Sequence, residues 1–267
     1  MLSRIRREEQ KLAVNGTGVN GVQSLNFGYE STAQPISTLG HKNMIYAPSS
    51  PQTASISAES LLVYDDFFLE FTGAIPFSGQ IDYKNKKVQF TEAYLSSYSS
   101  SCSIGEIPTL GMQAEVYGEL GTGEFFTPSS SSPHDTTVQT AGYNSINIDL
   151  DEFNTNRVIS YSLDIQTPRT PIYDFAGRTP AEVVSDSPLD VTLQFNIQPD
   201  DYEIKNMRFV PEETVFRDVS LTINENNKNN SMQSFSFNNM LLVSEQYQIN
   251  TESTASIAFT LKGTIFR

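Results

Sequence analysis

Along most of this 267-residue chain apolar and polar residues alternate with a period of two, the spacing of strands with one dry face and one wet face. Leu189, Val191, Leu193, Phe195 and Ile197 form the cleanest run, separated by Asp190, Thr192, Gln194 and Asn196. Ile159, Tyr161, Leu163 and Ile165 alternate with Ser160, Ser162, Asp164 and Gln166. Gln23, Leu25, Phe27 and Tyr29 alternate with Val22, Ser24, Asn26 and Gly28. The pattern predicts further strands around Ile56, Met112 to Val116, Val219 to Ile223, Phe235 to Phe237 and Ile257 to Leu261. It also predicts a hairpin from Gly79 to Thr91 and an irregular Ser-rich strand over 93–104. The run Phe67, Phe68, Leu69, Phe71 is too short to reveal its period and fits a strand or a short helix. Pro211 before Glu212 and Glu213 is suited to starting one short helix. Residues 1–15 are basic then acidic, compatible with a short helix or a mobile arm.

The chain also resembles itself. Val22 to Leu25 leads to Pro35 and Ile36, and 136 positions later Val158 to Tyr161 leads to Pro171 and Ile172. Phe90, Ile104, Met112, Val116 and Gly118 have counterparts in Phe235, Ile249, Ile257, Leu261 and Gly263, each 145 positions later. Internal similarity of this kind predicts two β modules in tandem. The expected division is an N-terminal arm over 1–21, a first module over 22–120, a linker or long loop over 121–150 and a second module over 151–267. The linker expectation rests on a shift to Gly, Ser, Thr and Pro. The expected class is all-β: two internally repeated antiparallel β-sandwich or barrel modules with little helix.

Composition narrows the function classes. A net charge of −14 argues against ordinary nucleic-acid binding. It fits either plain solubility or a surface along which DNA slides without sticking. The single cysteine, Cys102, cannot form an intramolecular disulfide and reads as a small strand residue. No run is long or apolar enough for a membrane helix, and the charged start does not read as a signal peptide. The two histidines, His41 and His134, lack ligand partners at metal spacing. No nucleophile elbow, phosphate loop or dinucleotide fingerprint is present. The acidic pairs Asp65-Asp66 and Asp200-Asp201 and the run Asp149 to Glu152 read as solvated turns rather than calcium loops. The expectation is a non-enzymatic chain with no cofactor and no metal.

The segment from Ser160 to Ile165, followed by Pro171, Ile172, Tyr173, Gly177, Arg178, Thr179 and Pro180, resembles a strand-and-bend pattern of tail tube and related virion proteins of tailed bacteriophages. It covers about residues 157–198. The counterpart at 22–63 keeps Pro35 and Ile36 but lacks the Tyr and the Arg-Thr-Pro. The resemblance implies sheets that join around a ring, rings that stack, and an acidic channel through which DNA passes without specific binding. Two modules per chain would make a ring of three copies with pseudo-sixfold symmetry. It further implies homo-oligomeric and other tail-protein partners, no membrane, and a location in the virion tail after assembly in the host cytoplasm. Pro35, Ile36, Pro171, Tyr173, Gly177, Arg178 and Pro180 are the candidate ring contacts. The competing expectations are a baseplate hub or tail terminator ring on the same fold, a carbohydrate-binding or adhesin β-sandwich, and a hydrolase with an unmarked carboxylate pair.

Overall fold

Leu189, Val191, Leu193, Phe195 and Ile197 are all buried on one face of a nine-residue strand, so the cleanest period-two run becomes the centre of the second half. The computed structural model describes residues 10–37, 39, 45–48, 53–63, 66–73, 75–83, 86–123, 141–150, 153–175, 179–186, 188–198, 214–225, 231–250 and 253–265. Strands of the first half are β1 (Gln10–Val14), β2 (Thr17–Gly18), β3 (Val22–Glu30), β4 (Ala33–Ile36), β5 (Ile45–Pro48), β6 (Thr53–Leu61), β7 (Phe77–Tyr83), β8 (Lys86–Ser103), β9 (Thr109–Val116) and β10 (Leu120–Gly121). Those of the second are β11 (Ala141–Leu150), β12 (Phe153–Thr155), β13 (Val158–Gln166), β14 (Arg169–Ile172), β15 (Glu182–Ser185), β16 (Leu189–Ile197), β17 (Phe216–Glu225), β18 (Ser231–Asn250) and β19 (Ser253–Ile265). The ambiguous Phe67 to Phe71 run is a short 3-10 helix, Phe68–Thr72, whose Phe68 and Phe71 plug the core. Pro211 and both histidines lie outside the described residues.

All pairings are antiparallel. In the first half the order is β3-β6-β9-β8-β7-β1, and in the second it is β13-β16-β19-β18-β17-β11. The order is therefore the same in both halves. A two-stranded ribbon follows the first strand of each set, β4-β5 after β3 and β14-β15 after β13. The long strands β8 and β18 are corner strands. Each starts in an outer layer against β7 or β17, and ends in an inner layer against β9 or β19. Each turns the corner through two irregularities, at 91–92 and 96 in β8 and at 238–239 and 243 in β18. Bulges of this kind bend a strand and increase its twist.

These bulges fix which residues stand at matching places. Phe90 matches Phe237, Met112 matches Phe259 and Ala114 matches Leu261, because Gly79↔Phe90 and Val219↔Phe237 are matching pairs, as are Ile56↔Ala114 and Leu193↔Leu261. The spacing in this part of the chain is thus 147, two more than the 145 expected from sequence. The 136 spacing holds for β3 and β13, where Leu25↔Ala58 and Tyr161↔Phe195 are the matching pairs.

Two segments expected to lie outside the modules are core strands. Gln10–Val14, within the expected arm, pairs along β7, with Leu12 and Val14 at 1 % and 0 % exposure. Ala141–Leu150, within the expected linker, pairs along β17, with Ile148 and Leu150 buried. One hydrophobic cluster runs through both halves. Its aromatic centre includes Phe195 stacked on Phe259 at 4.9 Å, and Phe77 meeting Phe90 edge-on at 6.0 Å.

Candidate functional site

The halves are joined by a strand pair. The last residues of β8 run antiparallel to β13, from Ser97↔Gln166 to Ser103↔Ser160. The result is one continuous wall of eight strands, β3-β6-β9-β8-β13-β16-β19-β18. Strand alternation gives it two unlike faces. The inner face carries Ile56, Ala114, Tyr98, Leu163, Leu193 and Leu261 into the core. The other face carries Ser, Thr, Asn and Gln from every strand, for example Asn26, Ser57, Gln113, Ser99, Ser162, Gln194, Thr260 and Gln246. Among the described residues, the charged side chains on that face are Glu30, Glu59, Glu115, Asp164 and Asp190, against Lys262 alone. Five adjacent strands, from β3 to β13, frame an open depression of about 390 Å³ lined by Ser24, Ser57, Glu59, Ser99, Gln113 and Asp164. The polar face is thus acidic and indented over this span, with Tyr94 opposite Glu115 at its edge.

The joint itself is dry on its inner side and carries a buried polar knot. Tyr98 donates to the Asp66 carboxylate, the Gln233 amide donates to the same carboxylate, and it also donates to the Tyr98 hydroxyl at 2.8 Å. Asp66 also accepts the Phe68 backbone N–H at 3.0 Å. Burial raises the Asp66 carboxyl above its ordinary range, and these hydrogen bonds only partly offset it. Burial, then the neighbouring carboxylate, pushes the Tyr98 phenol well up. Ser100 and Tyr161 share a hydrogen bond of 3.0 Å, and Thr167 donates to the Leu95 carbonyl at 2.5 Å. Cys102 completes the row, buried with its thiol against the Ser103 and Glu106 carbonyls at 3.3 Å each. Asp66 was expected in a solvated turn. It is instead a buried acceptor, because the 3-10 helix folds its turn down onto the joint.

Three of the candidate contacts lie in the two ribbons and two more lie beside them. Pro35 and Ile36 are in β4, opposite Tyr46 and Ile45. Pro171 is in β14 opposite Val183, Tyr173 follows that strand, and Pro180 precedes β15. Gly177 and Arg178 lie outside the described residues. The ribbon β14-β15 lies across the joint onto the first half. Its Arg169 donates to the Gly73 carbonyl at 2.5 Å and stands 6.0 Å over the Tyr94 ring, which meets Tyr117 edge-on at 5.8 Å. Tyr173 is close enough to Glu115 for that carboxylate, after burial, to raise its phenol. The ribbon β4-β5 is more open: all four residues of β4 are exposed, whereas β14 alternates half-buried and exposed positions, although Ile36 and its counterpart Ile172 are each 47 % exposed.

The residues that hold the joint, Asp66, Tyr98, Gln233 and Arg169, carry no local signal in the sequence. They are brought together from four separate strands and loops. Among the described residues no group of three or more His, Cys, Asp or Glu side chains could hold a metal ion, and no helix is long and apolar enough to cross a membrane. No family model matches the chain, and no curated protein matches it in sequence.

Proposed function

We propose that this chain is a virion structural protein of a tailed bacteriophage, a tail tube subunit whose copies join into stacked rings around a channel for DNA. The single observation that carries the reading is the eight-stranded wall with one polar, acidic face, indented over five of its strands. A surface of hydroxyls, amides and carboxylates offers phosphate no cation cluster to hold, and an excess of negative charge repels it. Eight strands at about 4.8 Å each span about 38 Å of arc, so three walls would enclose a bore about 37 Å across between backbones. The shared strand order of the two halves supports a duplicated module, and with it a ring of three copies with pseudo-sixfold symmetry.

Electron microscopy of the purified chain, with mass measured in parallel, tests the reading. Stacked rings or tubes of three chains per ring are the expected result. Rings that do not stack would move the assignment to a hub or terminator. A chain that stays monomeric at high concentration would overturn it and turn attention to ligand binding in the polar depression.

A further inference from the structure

Among the described residues, no strand fills the counterpart, at the outer ends of the wall, of the joint between the two halves. At the joint, β8 residues 97–103 pair with β13 residues 160–166. Matched by strand and bulge, the same roles fall to residues 244–250 of β18 and 24–30 of β3. Among the described residues, that stretch of β18 pairs only with β19, and β3 pairs only with β6. Among the described residues, neither stretch has a strand along its other edge, the feature that invites another strand.

Side chains at the two places differ in exposure as a filled and an empty joint would. On β13, at the joint, Tyr161, Leu163 and Ile165 are buried in the core. Their counterparts on β3 are Leu25, Phe27 and Tyr29, with Phe27 at 40 % exposure and Tyr29 at 71 %. On β8, Cys102 is buried, whereas its counterpart on β18, Ile249, is 78 % exposed. Polar groups match as well. At the joint Tyr98 is hydrogen-bonded to Gln233. Their counterparts are Glu245 and Lys86, opposite charges in place of a neutral pair.

We infer that residues 244–250 of β18 in one copy add antiparallel to residues 24–30 of β3 in a second copy, in the register Ile249↔Leu25, Gln248↔Asn26, Tyr247↔Phe27 and Glu245↔Tyr29. The partner is a second copy of this chain because the surface repeats a contact that the chain already makes with itself. Glu245 of one copy then faces Lys86 of the next, and the ribbon β4-β5 seats on the neighbour as β14-β15 seats on the first half. The two surfaces are different patches, so the contact is head-to-tail and propagates the wall from copy to copy. This inference rests on the ring reading and narrows it to one pair of edges and one register.

Two measurements on the full chain decide it. Asn26→Cys with Gln248→Cys, both exposed positions, is expected to form disulfide-linked oligomers under mild oxidation. Wild type, each single variant and the pair Asn26→Cys with Gln246→Cys, a diagonal roughly 7–8 Å apart, are expected not to. Lys86→Glu and Glu245→Lys are each expected to cut the assembled fraction at least tenfold, and the double exchange to restore it. Wild-type assemblies seen by microscopy, but cross-linked only through another pair or indifferent to both charge reversals, would overturn the inference and leave the ring reading standing. A wild-type chain that does not assemble would overturn both.

Discussion

Glu92 and Asn239 hold the same unusual backbone at the same corner of the two long strands, with φ of 51° and 57°. Each sits in the first bulge of its strand, where the chain leaves the outer layer for the inner one. The left-handed region costs an ordinary L-residue about 1–2 kcal/mol, and Asn bears it better than Glu. Asn239 is further held by its N–H bond of 2.7 Å to the Asp218 carboxylate. Replacing Glu92 by Gly is expected to raise unfolding free energy by about 0.5–1 kcal/mol, after the larger entropy loss of Gly. Asn239→Gly is expected to change it little. Urea midpoints of the two variants measure the contrast, and a destabilised Glu92→Gly would show that the corner needs its side chain.

Asp66 makes stability depend on pH in a stated direction. Burial raises its carboxyl above 3.8, against hydrogen bonds from Tyr98, Phe68, Leu69 and Gln233 that lower it. A carboxyl that titrates higher folded than unfolded favours the fold fully below its unfolded value. That contribution is lost as pH rises through the folded value. The Tm of wild type relative to Asp66→Asn is therefore expected to fall as pH is raised from about 4. A flat difference would mean that the carboxyl is not desolvated. Asp66→Ala leaves Tyr98 and Gln233 without their acceptor and is expected to cost about 2–3 kcal/mol.

The Cys102 thiol is pushed up to about 11, by burial first and by Glu106 second. Thiolate is the reacting species, and an ordinary thiol titrates near 8.5. Native protein at pH 8 is expected to react with a disulfide reagent at least about 100-fold more slowly than urea-unfolded protein. Equal rates would place the thiol at the surface.

The acidic face lends itself to charge reversal without loss of fold. Glu59 is exposed and Asp164 half-buried, both away from the core, and such surface changes usually stay within about 0.5 kcal/mol. Glu59→Lys with Asp164→Lys is expected to keep the wild-type Tm and to acquire duplex DNA binding that weakens steeply with salt. Anisotropy titrations at several salt concentrations provide the readout. Unchanged DNA binding in an assembled variant would remove these carboxylates from any channel.

The strands with strict alternation were legible because a half-buried strand writes its period into the sequence, as from Leu189 to Ile197. The all-β class followed from the same signal. β1 was obscured because five residues with Lys11 among them resemble the charged stretch before them. β11 was obscured because Ser145, Asn147 and Asp149 continue the polar composition of the segment before it. The two-residue difference between 145 and 147 could not be read at all. A shift of two leaves every side chain on its own face, so the alternation is indifferent to it. Only the bulges fix the choice, and they involve ordinary residues such as Ser96 and Val243. Asp66 was misread because an acidic pair beside aromatic residues looks like a turn until Gln233, 167 residues away, closes over it.

The pairing of β8 with β13 also sets a waiting time during synthesis. Val116 ends β9, the last strand of the first-half order in sequence, and Val158, the first residue of β13, is about 42 residues downstream. At about 5–20 residues per second, a ribosome takes roughly 2–8 s to reach it. Throughout that interval the first half, with its six strands made, displays Tyr98, Ser100 and Cys102 on a strand edge that β13 has yet to cover. Nascent chains on neighbouring ribosomes display the same strand, so the rate of translation through residues 117–157 governs how many of them meet each other before they meet themselves.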